Sequence, residues 1–286
     1  MLRQLKAIEE ARGVLQAIRT QPTWIAKVRR ETQVRDALSS VQIEGNSLTF
    51  EAAFNLAHDP PTELRDSERE FLNYLNAFDL IDGLRDARDY PVSRRDLLNI
   101  HRVLVDGVRG GMRHAGQLRR EDVRVGDVEG GVETIHHSPP SWHEVEGYLD
   151  GLFEWIEASK GHPTAARVMA GAADPWVHPV ILAGIVQHRL AWIHPFVDGN
   201  GRSARMMTTV LLYQRGYDFK YLFDLSSHYN HDRDRYYEML RTVDRTGDYS
   251  RWLMYFMGGF SRQMFLVKKR ALEAAEGVVA AEHGAE

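Results

Sequence analysis

Two apolar helical stretches, one carrying Ile181, Leu182, Ile185, Val186, Leu190 and Ile193 and the other running from Met206 to Leu212, are separated by a short polar segment at 194–205. Both stretches must be buried, so the chain has to turn between them within a few residues, and that turn limits the folds open to it. Pro195 disfavours the α conformation at His194, which predicts that the first helix ends there with His194 facing the loop. Gly199 and Gly201 permit backbone geometries closed to other residues, and the second helix is expected to begin near Gly201. The amides of its first turn and the positive end of its dipole form an anion site, to which Arg202 and Arg205, three apart on one face, add two guanidinium groups. That arrangement suits a polyphosphate. Asp198, just ahead of the amides, is placed to hold Mg²⁺, an ion that takes one or two carboxylates with phosphate oxygens and water. His194 is then left as the candidate base.

Each of these residues has a plainer reading. A histidine at a helix end can be a cap, Asp198 a turn residue, and two arginines a solvated face. Taken together they favour phosphate chemistry, because a loop that only turns requires neither a base, a metal-type carboxylate, two glycines nor two arginines between apolar helices.

The same residues carry a resemblance. His194-Pro-Phe-Val-Asp198-Gly199-Asn200-Gly201-Arg202-Ser-Ala-Arg205 fits at every defining position the His-x-Phe-x-Asp/Glu-Gly-Asn-Gly-Arg-x-x-Arg motif of Fic-domain proteins. The resemblance implies transfer of AMP from ATP, with Mg²⁺, to a hydroxyl side chain of a target protein. Asp198 would hold the metal, the Gly199, Asn200 and Gly201 segment would cradle the diphosphate, and Arg202 and Arg205 would balance charge.

Upstream, residues 31–44 keep Val34, Leu38 and Val41 on one face, and Gly45-Asn46 reads as a helix terminator. Glu44 places negative charge at a helix C-terminus, which is slightly unfavourable and invites a positive partner. Ser40-Val-Gln-Ile-Glu44-Gly45 resembles the Ser/Thr-x-x-x-Glu-Gly/Asn inhibitory motif of many Fic proteins, in which the glutamate pairs with the second motif arginine, here Arg205.

Residues 112–137 break the helical pattern. Gly110-Gly111, Gly116, Gly126 and Gly130-Gly131 punctuate the β-branched pieces Val123-Arg-Val125 and Val132-Glu-Thr-Ile135, predicting an irregular hairpin. A plain connecting loop is the alternative. In the Fic resemblance the hairpin is the flap that holds the target's side chain by strand-like pairing, with Val123, Val125 and Gly126 as its contact residues and Gly116-x-x-Arg119 leading into it. His136 and His137 have no third ligand at useful spacing and read as solvated loop residues.

The remaining segments read as helices. They include 1–20, 49–58, 64–84, one opened by the capping box Ser93-Arg-Arg-Asp96 with a structural His101, and one opened by Ser141-x-x-Glu144. Gly161-His-Pro begins a less regular connection. Tyr229-Asn230 is expected to cap a helix with Tyr236, Leu240 and Val243 inward, Asp248 to cap the last long helix, and the alanine-rich chain after Ala271 to fray. Tyr237 matches the second tyrosine of a Tyr-Tyr-x-x-Leu pattern on the adenine side of related Fic pockets, while Asp244 stands where some of them have asparagine.

The expected architecture is all-α, a Fic-like helical domain over 61–270 with a short β-hairpin flap, a regulatory helical segment at 1–60 and a tail at 271–286 that leaves no room for the winged-helix domain of some Fic proteins. With 36 Lys and Arg against 40 Asp and Glu the net charge is −4, so no global basic field points to nucleic acid. The absence of cysteine excludes disulfides and thiolate metal sites. The opening Met-Leu-Arg-Gln-Leu-Lys reads as the start of a charged helix rather than a signal-peptide core, and no run approaches membrane-spanning length, so the expected setting is cytoplasmic. The leading reading is a protein adenylyltransferase held in check by Glu44. A de-AMPylating hydrolase using the same site, transfer of UMP, phosphate or phosphocholine, and a nucleotide-sensing module stay open, as does homo-oligomerisation.

Overall fold

The computed structural model describes residues 1–18, 21–85, 90–108, 114–129, 132–160, 176–219 and 222–283. Gly110, Gly111, Gly130, Gly131 and the Gly161-His-Pro connection lie outside them. The described chain is helical apart from one antiparallel pair of strands, the all-α architecture with a hairpin expected from the periodicity. In order, the elements are α1 (Leu2–Ala17), α2 (Pro22–Ile43), α3 (Phe50–His58), α4 (Asp66–Arg85), α5 (Arg94–Leu104), β1 (Val125–Glu129), β2 (Val132–His137), α6 (Trp142–Ala158), α7 (Pro179–Ile193), α8 (Asn200–Gln214), α9 (Ser226–His231), α10 (Arg233–Thr246) and α11 (Ser250–His283). Among the described residues no helix is long and apolar enough to cross a membrane.

The chain divides into two compact units, Met1–Asp79 with Tyr213–Glu286, and Leu80–Leu212. In the first, α1 lies along α11, where Gln4 donates to the Met254 carbonyl at 3.1 Å and Lys268 pairs with Glu10 at 3.3 Å. Tyr229, Tyr236, Trp252 and Phe256 are fully buried, with Tyr229 and Tyr236 stacked at 4.5 Å, and form an aromatic core. The N-terminal cap of α10 is Asp232, whose side chain accepts from the Arg235 amide at 2.9 Å. Tyr229-Asn230 belongs instead to the short helix α9, which the pattern of apolar residues alone does not separate from α10. Helix α11 runs through the alanine-rich segment after Ala271 to His283, in keeping with alanine being the strongest helix former.

Helix α2 is fastened to the 224–237 segment along its second half. The Ser226 amide donates to Asp36 at 2.9 Å, the Ser39 and Ser227 hydroxyls meet at 2.9 Å, and Asn230 donates to the Gln42 side chain at 2.7 Å. At the end of α2 the Gly45 amide bonds the Gln42 carbonyl at 3.0 Å and the Asn46 amide the Val41 carbonyl at 3.1 Å, with Gly45 at φ +92°. These two bonds with a left-handed glycine make a Schellman turn, which explains the terminator read at Gly45-Asn46. Asn46 is buried and closes the turn onto α4, donating to the Ser67 carbonyl at 2.8 Å and to Glu70 at 3.0 Å.

The second unit holds the capping boxes. Ser93 with Asp96 starts α5 and Ser141 with Glu144 starts α6, as their spacing predicts. Arg94 bridges the two helices through Glu146 and Asp150, and α6 packs against α7. Strand β1 lies later than the β-branched piece Val123-Arg-Val125 suggests, leaving Val123 ahead of it, while β2 starts at Val132 as read and runs on to His137. Their register shifts between Val125 and Gly126. A Cβ on Gly126 would come within 2.2 Å of the Thr134 carbonyl oxygen, so the irregular pairing requires glycine there.

In the first unit the buried Asp224 carboxyl is hydrogen-bonded to Asp36. Burial, followed by the Asp36 charge and that hydrogen bond, holds its pKa well above the usual carboxylate range, against the opposing pull of the Ser227 donors. An acid whose pKa is raised on folding binds its proton more tightly in the native state. Its contribution to stability is therefore greatest at low pH and fades as pH rises through the folded value. Asp224→Asn keeps the shape and removes the titration, so thermal melts from pH 5 to pH 8 should show the parent losing stability relative to the variant as pH rises. A constant difference between the two across that range contradicts the assignment.

Candidate active site

The second unit brings the sequence-marked motif together at the junction of α7 and α8. Helix α7 ends at Ile193, and His194 is its C-cap in the left-handed conformation, φ 50° and ψ 60°. This conformation is uncommon outside glycine and disfavoured by side-chain sterics. The Pro195 ring blocks continuation of the helix beyond this residue. The His194 Nδ1 lies 3.3 Å from the Ala191 carbonyl. A carbonyl only accepts, so Nδ1 is the donor in this contact.

The loop is closed by pairing with its own backbone. Asn200 accepts from the Phe196 amide and donates to the Phe196 carbonyl, both at 2.9 Å, and is almost fully buried. The Asn200 side chain is thus committed to the loop, and what this residue can offer a ligand is its backbone N–H, the group expected to cradle phosphate. Helix α8 starts at Asn200, one residue earlier than Gly201, and its first i→i−4 bond runs from Ser203 to Gly199 at 2.9 Å. The Asn200 and Gly201 amides precede that bond and sit at the positive end of the helix.

Asp198 accepts from the Gly199 amide at 2.5 Å and from Arg202 at 3.2 Å. The Asp198 side chain is 57% exposed while Arg202 is 2% exposed, so the pair joins a buried cation to a carboxylate open to solvent. Arg205 is also buried. Two buried guanidinium groups on one helix beside its N-terminus make this corner electropositive in a chain of net charge −4.

Two residues that the spacing of the motif does not reveal hold the loop. The His101 ring in α5 stacks on Phe196 with centroids 3.6 Å apart and planes at 1°. Its Nδ1 accepts from the Gly116 amide at 3.0 Å, which leaves Nε2–H to donate to the Asp198 carbonyl at 3.0 Å. Burial pushes its pKa down to about 4, with the Arg202 charge acting the same way and the Asp198 contacts opposing, so the ring is neutral at physiological pH. The structural role expected for His101 is thereby given content. Arg119 is the second, with its backbone N–H on the Pro195 carbonyl at 2.9 Å and its guanidinium on the His194 carbonyl at 2.8 Å. Its only sequence signal is the Gly116-x-x-Arg119 pattern.

His137 at the end of β2 is not a solvated loop residue, because its Nε2 meets the Trp192 carbonyl at 2.9 Å and ties the hairpin to α7. Among the described residues no group of three His, Cys, Asp or Glu side chains is arranged to hold a metal. An open cleft of about 350 Å³ is lined by His114, Gln117, Leu118, Arg120, Glu121 and Val197, bringing the segment ahead of the hairpin beside the motif loop.

The other marked residues belong to the first unit. Ser40 is fully buried in α2, and Glu44 is the exposed C-cap of that helix, followed by Gly45 in the Schellman turn. Tyr237 is half-buried on α10 and its hydroxyl donates to the Ile43 carbonyl at 3.4 Å.

Residues 91–212 match the Fic/DOC family. The chain is 26% identical over 221 residues to the protein adenylyltransferase Fic of Drosophila mojavensis and 27% identical over 227 residues to that of Drosophila virilis. Both alignments cover 75% of this chain, which spans only about four-tenths of the length of these relatives (38% and 40%). Among solved structures, a Fic family protein from Desulfovibrio desulfuricans superposes with a TM-score of 0.70 at 20% identity, covering 99% of this chain and 74% of that one. A Fic domain containing signaling protein from Bacteroides thetaiotaomicron gives the same score and identity, covering 96% and 98%. These structures share the fold.

Gly199 offers a direct check on the loop. It has φ +78°, and a Cβ there would lie 2.8 Å from Val105 Cγ1 and 3.4 Å from the His101 ring. Gly199→Ala is expected to destabilise the protein by about 1–3 kcal/mol, combining left-handed strain with the clash against α5, measured by urea denaturation. A variant as stable as the parent contradicts the close approach of loop and helix.

Proposed function

We propose that the protein is an adenylyltransferase that moves AMP from ATP to a Ser, Thr or Tyr hydroxyl of a target protein, a reading that starts from the match of residues 91–212 to the Fic/DOC family. The observation that carries the reading is the left-handed cap at His194, which ends α7 a few residues ahead of the N-terminus of α8, a helix that carries the buried Arg202 and Arg205. A base beside an anion site is what transfer of a phosphate-linked group to a hydroxyl needs. The names of the Drosophila relatives support ATP as donor.

In this mechanism His194 Nε2 takes the proton of the incoming hydroxyl while its oxygen bonds to the α-phosphorus. The bond from that phosphorus to the β-phosphate bridging oxygen breaks, and pyrophosphate leaves. The Asn200 and Gly201 amides cradle the diphosphate, and Arg202 and Arg205 balance the charge that builds on it. Positioned general base catalysis contributes on the order of 10²–10⁴-fold, and preorganised charge supplies much of the rest. Asp198 suits Mg²⁺ because it is one exposed carboxylate rather than part of a protein cage, the setting this ion prefers beside phosphates. When bound, Mg²⁺ would neutralise charge on the α- and β-phosphates. Tyr237 serves the adenine side, and Val123, Val125 and Gly126 present extended backbone to the target. In this division of labour residues 61–270 carry catalysis and residues 1–60 regulate it.

Incubation with ATP labelled at the α-phosphate should label protein, with UTP and CDP-choline as comparison donors. His194→Ala should abolish the label and leave ATP affinity nearly unchanged, since the imidazole acts on the acceptor. Transfer retained by that variant would remove His194 from its role, and preferential labelling by UTP or CDP-choline would replace the donor.

Regulation is proposed to run through Glu44. Its carboxylate, set at the end of a firmly terminated helix, pairs with Arg205 and diverts the guanidinium from the terminal phosphate, so ATP binds in a pose unsuited to in-line attack. Misplacement by ~1 Å can cost on the order of a hundredfold in rate. Glu44→Gly should therefore raise labelling strongly, and Arg205→Ala in that background should lower it again. Labelling no faster than the parent counts against this control, and loss of an AMP-removing activity in Glu44→Gly would favour the hydrolase reading.

A further inference from the structure

The Arg119 side chain is completely buried, and each of its N–H groups has a direction to account for. Nε donates to the His194 carbonyl at 2.8 Å. Nη2 serves two carbonyls, Pro140 at 2.5 Å and Ile193 at 3.4 Å, while Nη1 donates to the Glu121 carbonyl at 3.0 Å and faces the Asp122 carboxylate at 3.7 Å. The acceptors come from three places. Ile193 and His194 are the catalytic turn, Glu121 lies on the chain leading into β1, and Pro140 lies on the chain leaving β2. Asp122 in turn accepts from the Trp142 amide at 2.8 Å and so connects the cluster to the start of α6.

We infer that Arg119 is a positioning residue for the reaction, one guanidinium that fixes the catalytic turn and both legs of the hairpin relative to each other and thereby sets the distance between the His194 imidazole and the hydroxyl that the hairpin presents. The inference rests on the adenylyltransferase reading for the identity of the reaction. Two features distinguish this role from general packing. His194 holds a left-handed conformation whose carbonyl is taken by Arg119 Nε, so the direction of the imidazole and the direction of that carbonyl are set together. The hairpin has its own tie to the same turn through His137 and the Trp192 carbonyl, so removing the guanidinium loosens the geometry without detaching the hairpin. Lysine retains the charge but not the planar fork that reaches carbonyls on three sides.

The role predicts a split in kinetics. Arg119 touches no part of the proposed phosphate site directly, whereas general base catalysis depends on the spacing of base and acceptor. Arg119→Lys should lower kcat for protein labelling by on the order of a hundredfold while changing the KM for ATP less than about twofold. In Arg119→Ala, free guanidinium ion at millimolar concentration should restore part of the lost kcat, and the same concentration of sodium chloride should not. Asp122→Asn serves as a control that keeps the carbonyl contacts. Hydrogen exchange on Arg119→Lys, which needs no activity, should quicken in peptides spanning 121–140 and 190–197 and stay at parental rates in α11. A kcat near that of the parent, an equal loss in ATP affinity, or unchanged exchange in both segments overturns the inference. A parent that labels nothing overturns the adenylyltransferase reading instead, and exchange then decides the clamp alone.

Discussion

The second unit depends on a backbone held where it would not rest unaided. His194 in the left-handed region costs on the order of 1–3 kcal/mol, and such a conformation persists only where the surroundings over-determine it. Here they do so from three sides. Arg119 takes the carbonyls of Ile193, His194 and Pro195, Asn200 closes a reciprocal pair of hydrogen bonds on Phe196, and His101 lies flat against the Phe196 ring while holding the Asp198 carbonyl. Each contact acts on main chain or on an apolar ring.

Burial of positive charge is the second constraint. A buried guanidinium is costly unless its donors are met; Arg119 meets them with carbonyl oxygens, while Arg202 offers its Nη2 to the Asp198 carboxylate. The two solutions have different consequences. Carbonyls cannot be displaced without unfolding the turn, so Arg119 is fixed. The Asp198 carboxylate is more than half exposed and open to a ligand from solvent, so the Arg202 pair can be remodelled on the solvent side. One unit thus combines a permanent clamp with an exchangeable ion pair a few residues away.

The sequence makes local features legible and long-range ones opaque. The capping boxes at Ser93 and Ser141, the break at Pro195 and the terminator at Gly45 each depend on residues within a few positions, and the helices begin or end where those residues place them. The hairpin is legible as a change of period, but its register is displaced toward Gly126, because the close approach of Thr134 appears only once the strands pair. Tyr229-Asn230 misleads as a cap since Asp232, three residues after Tyr229, has the better geometry and a short helix intervenes. His101 and Arg119 escape for another reason. Both work on backbone carbonyls roughly seventy to a hundred residues away in the chain, and a carbonyl leaves no mark in the side-chain pattern. The Asp36 and Asp224 pair is hidden likewise, because two acidic residues far apart in sequence give no reason to expect a hydrogen bond between them.

How α2 is fastened bears on any control exerted through Glu44. Asp36, Ser39 and Gln42 each bond to the 224–230 segment, Arg233 adds a contact to the Gln42 carbonyl, and the Schellman turn with Asn46 secures the terminus onto α4. Hydrogen bonds of this kind contribute a net ~0.5–1.5 kcal/mol each, so detaching the second half of the helix forfeits several of them together. Spontaneous fraying of the last turn is therefore a poor release mechanism.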